Sequence, residues 1–300
     1  MIIQLTTHCS EGCTHCFGNC IPDNSHMSWD TLKSVITYIK NMPIAEMEMF
    51  TGAKMGIRPV NIVVSGGEPT EHPSYDDMMV YIANELDYCN IILESNGQWF
   101  YSEDGKNRMK KVLELNQVGM VLNSTDHRYY PNYNKFMLHK DDMIEFGKSV
   151  AIENTPEDKR DTFIKNKIVI NADMSDHFET VRLGRAKDFK EVKNPTPKVP
   201  NCIQLIYMAQ EQKDLSSILV ALEHRGLYTS PIFGIDGTIY PGYCHLCQKI
   251  GHVNDTNYDA LYTYLKMKAE PCGACQLNHR IPESVSMTIH QHRKLTLLTK

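Results

Sequence analysis

No uninterrupted apolar run of about eighteen residues occurs in this 300-residue chain, so no segment reads as a membrane-spanning helix. The N-terminus has neither the charged n-region nor the apolar h-region of a secretory signal, and its first cysteines come too early for one. No charge of one sign dominates. The 31 Lys and Arg against 36 Asp and Glu leave a formal net charge of −5, which argues against a non-specific nucleic-acid binder. The basic residues of the tail, among them Arg293, Lys294 and Lys300, read as a solvated terminus. P-loop, dinucleotide fingerprint and hydrolytic or nucleophilic motifs are missing, and no internal repeat is evident. What is left is an ordinary globular composition, long enough for a unit of about 200 residues plus a smaller one.

Cysteine, by contrast, is plentiful. Ten cysteines could suggest a secreted disulfide scaffold, but their clustering and the chain length suit intracellular metal binding better. Cys9, Cys13 and Cys16 form a CxxxCxxC run directly after the apolar segment 1–5. Three thiolates at that spacing can hold three irons of a cubane and leave the fourth iron open to a ligand that is not protein. The alternative is a zinc knuckle, with His8, His15 or Cys20 as the fourth ligand. Further on, the β-branched run 60–64 leads straight into Ser65-Gly66-Gly67-Glu68-Pro69. A strand ending in two glycines lets the backbone approach a ligand closely, and Glu68 offers a carboxylate to an ammonium group. By itself this string could also be only a turn.

The rest of the pattern alternates strand and helix. Strands are predicted at 2–6, 60–64, 90–94, 117–123, 167–171 and 202–208. Helices are predicted at 28–39 with Ser28 as N-cap, from near Pro73 to 86, at 107–115, at 141–150 and from about 176. Residues 44–59 read as an irregular insertion, whose methionines (with Met42 just before it) serve packing, and 124–139 as a polar, tyrosine-rich loop. Alternating βα units imply an α/β fold with a parallel sheet and right-handed crossovers. In complete or partial barrels of this type the site gathers at the C-terminal ends of the strands. The cysteine loop, the GGEP turn and Ser95-Asn96-Gly97 all fall there.

With its CxxxCxxC loop and the GGEP turn one βα unit later, the chain resembles the radical S-adenosylmethionine (radical SAM) superfamily. The longer string from Gly66 to Pro73, GGEPTEHP, also looks like that family's turn. The resemblance implies a partial (β/α)6 TIM-type barrel over residues 1–200. It implies a four-iron four-sulfur cluster on Cys9, Cys13 and Cys16, with Gly66, Gly67, Glu68 and Pro69 at the methionyl amine of SAM. The family usually has an aromatic residue before the third cysteine, near the adenine. Here His15 stands there and Phe17 follows. Further SAM-side positions implied in this way are Ser95 and Asn96 after strand three, Ser124 after strand four and Asn171 at the close of strand five. Arg185, in Leu183-Gly184-Arg185-Ala186, resembles an element of members with an added cluster domain.

A second cysteine group follows Pro195, Pro197 and Pro200, which mark a linker. A hairpin is predicted around Asp236-Gly237, leading to Cys244 and Cys247, then a helix at 259–268, then Cys272 and Cys275. Two CxxC knuckles about 25 residues apart make a four-thiolate site for zinc or an iron–sulfur cluster. The order of hairpin, cysteines, helix and CxxC resembles the twitch half of SPASM domains, which implies an auxiliary four-iron four-sulfur cluster in a small C-terminal domain, 201–300. Gly242-Tyr243, between Pro241 and Cys244, departs from that pattern. Cys89 and Cys202 are expected as buried small hydrophobes, and Cys20 as either that or a neighbour of the site.

By the resemblance, the protein cleaves SAM to a 5′-deoxyadenosyl radical that abstracts a hydrogen atom from its substrate. An auxiliary cluster with four cysteine ligands would carry electrons, favouring net oxidation or crosslinking of a peptide. The alternatives are a dehydrogenase or epimerase of a small molecule such as a sugar, aminocyclitol or nucleoside, and a non-enzymatic zinc-ribbon binding protein. An electron donor such as flavodoxin or ferredoxin and a cytoplasmic, oxygen-poor setting are expected, with no nucleic-acid or membrane partner. Because the barrel starts at residue 2, a peptide is expected to need a separate recognition protein or to bind at the loop 124–139.

Overall fold

The structure, a computed structural model, describes residues 1–14, 16, 20–42, 60–124, 127–154, 167–170, 231–241, 249 and 251–255. Within them the predicted alternation forms a single sheet. Strands β1 (Ile2–Thr6), β2 (Val60–Gly66), β3 (Cys89–Ser95), β4 (Val118–Leu122) and β5 (Ile168–Ile170) pair in parallel in that order. Helices α1 (Trp29–Lys40), α2 (Tyr75–Glu85), α3 (Glu103–Leu113) and α4 (Tyr133–Asn154) occupy the four connections. Parallel pairing places Thr6, Gly66, Ser95 and Leu122 at one edge of the sheet.

Local sequence explains the elements. Strand β1 is buried at every position, as a strand with neighbours on both sides and covered faces should be, whereas β3 alternates buried and half-buried residues. In α1 the Ser28 hydroxyl accepts the Thr31 N–H at 3.1 Å, and Leu32, Val35, Ile36 and Ile39 turn one apolar face to the core. Helix α3 starts four residues before the predicted 107, because Ser102 accepts the Gly105 N–H at 3.0 Å and Glu103 and Asp104 fill the first turn. The larger departure is α4. Residues 133–139, predicted as loop, are helical. Phe136, Met143 and Val150, seven apart, share a buried stripe that outweighs the polar residues between them.

The predicted Asp-Gly hairpin is present as β6 (Pro231–Phe233) and β7 (Thr238–Pro241), followed by β8 (Gly251–His252). Gly237 takes φ 83°, and the Asp236 carboxylate accepts the Thr238 N–H and hydroxyl, each at 2.9 Å. Its first strand adds to the parallel sheet: Ile232 and Phe233 pair in parallel with Ile2 and Ile3. The strand order is therefore β5–β4–β3–β2–β1–β6–β7–β8. The predicted sixth strand at 202–208, the 44–59 insertion, the helices from 176 and at 259–268, and the boundary near 200 lie outside the described residues. Met42 and Cys89 are buried, as expected. None of the described helices is long and apolar enough to cross a membrane.

Phe233 is fully buried and meets Tyr38 of α1 edge-on, with ring centroids 5.8 Å apart. Truncating such a side chain costs about 3–5 kcal/mol. Phe233→Ala is expected to lower the urea midpoint of the whole sheet in one transition, followed by far-ultraviolet circular dichroism. A separate early transition with the main midpoint unchanged would show that the hairpin is not part of the same cooperative unit.

Candidate active site

Beyond β1 and β2 the two chains stay together. Gly67 N–H donates to Thr6 O at 2.7 Å, and Glu68 N–H to His8 O at 2.9 Å. The approach leaves no room for side chains. A Cβ at Gly66, whose φ is 138°, would stand 2.2 Å from Thr6 O, and one at Gly67 would stand 2.0 Å from His8 O. The partner the two glycines admit is thus the backbone leading into the cysteine loop.

Glu68 then joins this turn to β3. One carboxylate oxygen accepts from the Thr70 N–H (3.2 Å), the Thr70 hydroxyl (2.5 Å) and the Ser95 hydroxyl (2.9 Å); the other accepts from the Asn96 N–H at 2.7 Å. Only 1% of the residue is exposed. Both oxygens therefore have donors from the protein, so an ammonium group would add to this set without replacing it. Burial pushes the carboxyl up to about 7, against the pull of these donors. The network reaches β4 as well, where the buried Ser124 hydroxyl donates to Asn96 O at 2.9 Å.

A second carboxylate fastens the cysteine loop. Glu71 accepts from the Ser10 N–H (3.0 Å) and hydroxyl (2.5 Å), and lies 3.2 Å from His8 Nε2. His8 Nδ1 accepts from Asn24 N–H at 3.2 Å, which leaves Nε2 as the protonated nitrogen facing Glu71. On the opposite side Thr14 N–H donates to Tyr129 O at 3.3 Å. Glu11 accepts from Gln98 Nε2 at 2.7 Å and from Asn132 Nδ2. These contacts anchor residues 8–14 to the ends of β2, β3 and β4. Gln98 and Asn132 were not marked by any motif. Glu11 and Glu71 carried only the weak signal of lying inside one.

Cys9 and Cys13 are buried and Cys16 is half-buried. Burial pushes the Cys9 thiol up to about 12, with the Glu68 and Glu71 charges adding to the rise and a backbone hydrogen bond at Glu11 opposing it. Such a group becomes a thiolate only when a cation compensates it. Cys20 N–H donates to Cys16 Sγ at 3.4 Å, and the buried Cys20 thiol donates to Gly66 O at 3.7 Å. Amide donors aimed at cysteine sulfur suit the anionic sulfurs of an iron–sulfur cluster. Among the described residues no three His, Cys, Asp or Glu side chains converge on a single-ion site. One further feature suits a bound cofactor: the buried Asn96 Nδ2 has no hydrogen-bond partner, while its Oδ1 accepts from Gln98 N–H at 2.9 Å.

The structure thus brings together Cys9, Cys13, Cys16, Gly66, Gly67, Glu68, Pro69, Ser95, Asn96 and Ser124 at one edge of the sheet. His15, Phe17, Asn171, Arg185 and the second group, Cys244, Cys247, Cys272 and Cys275, lie outside the described residues.

No family model matches the chain, and no curated protein matches it. Similar solved structures include BtrN in complex with AdoMet and 2-DOIA, at 12% identity and a TM-score of 0.48, over 89% of this chain and 85% of that one. Another is anSMEcpe with bound AdoMet and Cp18Cys peptide, at 14% identity and a TM-score of 0.48, over 92% and 85%. A third is Streptococcus suis SuiB bound to precursor peptide SuiA, at 14% identity and a TM-score of 0.46, over 88% and 65%. Likeness at this level leaves the chemistry to be argued from the residues of the chain itself.

Two outcomes are expected. Gly67→Ala forces a methyl group against His8 O, and overpacking of this kind costs about 1–3 kcal/mol. The variant should show a lowered thermal midpoint. Glu68 binds a proton more tightly folded than unfolded, so its contribution to stability is complete below its ordinary 4.5 and lost as pH rises through about 7. In the metal-free protein, Glu68→Gln should remove that part of the pH dependence, measured by urea unfolding at a series of pH values.

Proposed function

We propose that the chain is a radical SAM enzyme with a partial (β/α)6 barrel, and that Cys9, Cys13 and Cys16 hold a SAM-binding four-iron four-sulfur cluster. The single observation that carries this reading is the hydrogen-bonded union of the cysteine loop with the SGGEP turn at the C-terminal strand ends. When bound, such a cluster supplies one electron for cleavage of SAM to methionine and a 5′-deoxyadenosyl radical.

The chain's own groups do the positioning. Cys20 N–H steadies the Cys16 sulfur. Glu71 fixes Ser10 and His8 beside Cys9. Glu68 holds the Gly66–Pro69 backbone against β3, so that turn carbonyls can face the methionyl amine without the carboxylate leaving its four donors. Asn96 and Ser124 support the same turn, Asn96 through its N–H to Glu68 and Ser124 through its hydroxyl to Asn96 O.

The favoured substrate is a peptide, oxidised or crosslinked at a side chain. Supporting this, the segment from Tyr129 to the start of α4 is tied to the cysteine loop and shows half-buried Tyr129, Tyr130 and Tyr133 beside exposed Arg128 and Lys135. Cys244, Cys247, Cys272 and Cys275 would hold an auxiliary cluster, or zinc, and a flavodoxin or ferredoxin would supply electrons.

The test is anaerobic reconstitution of the wild type and of a Cys9, Cys13, Cys16 triple alanine variant. Iron, sulfide and zinc are counted, and 5′-deoxyadenosine is assayed after dithionite and SAM. Two four-iron clusters predict about eight irons, falling to about four in the variant, with nucleoside formed by the wild type alone. About four irons with one zinc would keep the radical chemistry and remove the auxiliary cluster. No iron and no nucleoside would sink the reading.

A further inference from the structure

The two faces of the sheet are unlike. Val64 of β2, Leu93 of β3 and Met120 of β4 belong to the buried core that the helices cover. Side chains alternate along a strand, so the next residue in each, Ser65, Glu94 and Val121, faces the other way. All three are half-buried, and Val169 of β5 is 39% exposed. Strand pairing sets them in one row with Gln4 of β1. Gln4 stands opposite Ser65, Glu94 opposite Val121, and Val121 opposite Val169. The Ser65 hydroxyl joins the two halves of the row by donating to Glu94 Oε2 at 2.7 Å. Ser65 and Glu94 directly precede Gly66 and Ser95, so the row lies just inside the candidate site.

Glu94 is the one charged residue of this row, and Ser65 is its one side-chain partner among the described residues. No Lys, Arg or His pairs with it there. Burial raises its carboxyl, and only the Ser65 hydroxyl opposes the rise. Glu68, by contrast, is satisfied by the donors of Thr70, Ser95 and Asn96, and Glu71 by Ser10 and His8. Glu94 Oε1 has no donor and, unlike Glu11 Oε2, is not sealed from solvent. A carboxylate held partly out of water without a countercharge is completed by a cation.

We infer that Glu94 selects the substrate by charge, its carboxylate receiving the ammonium or guanidinium of a Lys or Arg side chain of the peptide on the sheet face opposite the helices. The assignment deepens the peptide reading above and rests on it. Val121 and Val169 favour a basic side chain over a compact polar amine. Neighbouring strands lie about 4.8 Å apart, so an aliphatic stem can lie along Val121 while its charged head meets Glu94.

The test uses the anaerobically reconstituted protein and a phage-displayed library of random linear peptides. The wild type should enrich peptides with Lys or Arg at one fixed position. Glu94→Gln, which can keep the Ser65 hydrogen bond, should lose that preference. An enriched peptide is then synthesised with its basic residue and with norleucine in its place, and both are measured by fluorescence polarisation. The exchange should weaken binding to the wild type about tenfold or more, and to Glu94→Gln by less than about threefold. Ser65→Ala keeps the carboxylate and should behave as the wild type does. Iron content and a cooperative thermal transition show that each variant is folded and loaded. Enrichment of neutral or acidic peptides, or equal weakening in wild type and Glu94→Gln, would overturn the assignment and leave the radical SAM reading standing. A wild type that captures no peptide, or that binds an aminocyclitol instead, would overturn it too. A wild type without iron would sink the proposed function itself.

Discussion

The site depends on how closely two stretches of backbone meet where β1 and β2 end. The hydrogen bonds from Gly67 N–H to Thr6 O and from Glu68 N–H to His8 O carry sheet pairing beyond the strands and into the loops. That geometry is open only to residues without Cβ, because any side chain at 66 or 67 would overlap carbonyl oxygens of residues 6 and 8. Once the glycines allow the contact, Cys9 is fixed relative to Glu68 by a few covalent and hydrogen-bonded steps. The cysteine loop is then part of the sheet's edge.

Carboxylates complete what the glycines begin. A buried, unpaired carboxylate would cost several kcal/mol, whereas hydrogen bonds to a charged group return about 1.5–3 kcal/mol each. Glu68 gathers four such donors from Thr70, Ser95 and Asn96. Glu71 gathers the Ser10 and His8 donors, and Glu11 takes those of Gln98 and Asn132. Each bridges segments distant in sequence, so they knit the ends of β1 to β4 into one rim. The same crowding of negative charge, added to burial, keeps the metal-free Cys9 thiol protonated. A cation held by these thiolates would therefore displace protons.

Much of this was legible in the residues. Strand β1, the Ser28 cap, the first two parallel strands and the Asp236-Gly237 turn follow local rules of period, capping and turn chemistry, and the structure shows each close to its predicted place. Helix α4 was misread at its start, because a stripe of residues seven apart is diluted locally by Tyr, Asn and Lys. The position of the hairpin was not legible either. Pairing of Ile232 with Ile2 joins residues 230 apart in sequence, and no local pattern encodes such a partner.

The sequence by itself determined which chemistry is available: three clustered thiols, a glycine pair after a β-branched strand, and an alternating α/β order. Those are properties of spacing and residue type, which act over a few positions. Only the tertiary structure decided the jobs of individual polar side chains. Glu68 reads as a free carboxylate in the string GGEP, yet it is enclosed by donors from Thr70 and from Ser95 and Asn96 at the end of β3. Glu11 reads as filler between two cysteines, yet it is enclosed with one oxygen unpaired. The reason is physical: a carboxylate's role is set by the donors and the water around it, and here, apart from those of Thr70, the donors come from residues 27 to 121 positions away in the chain.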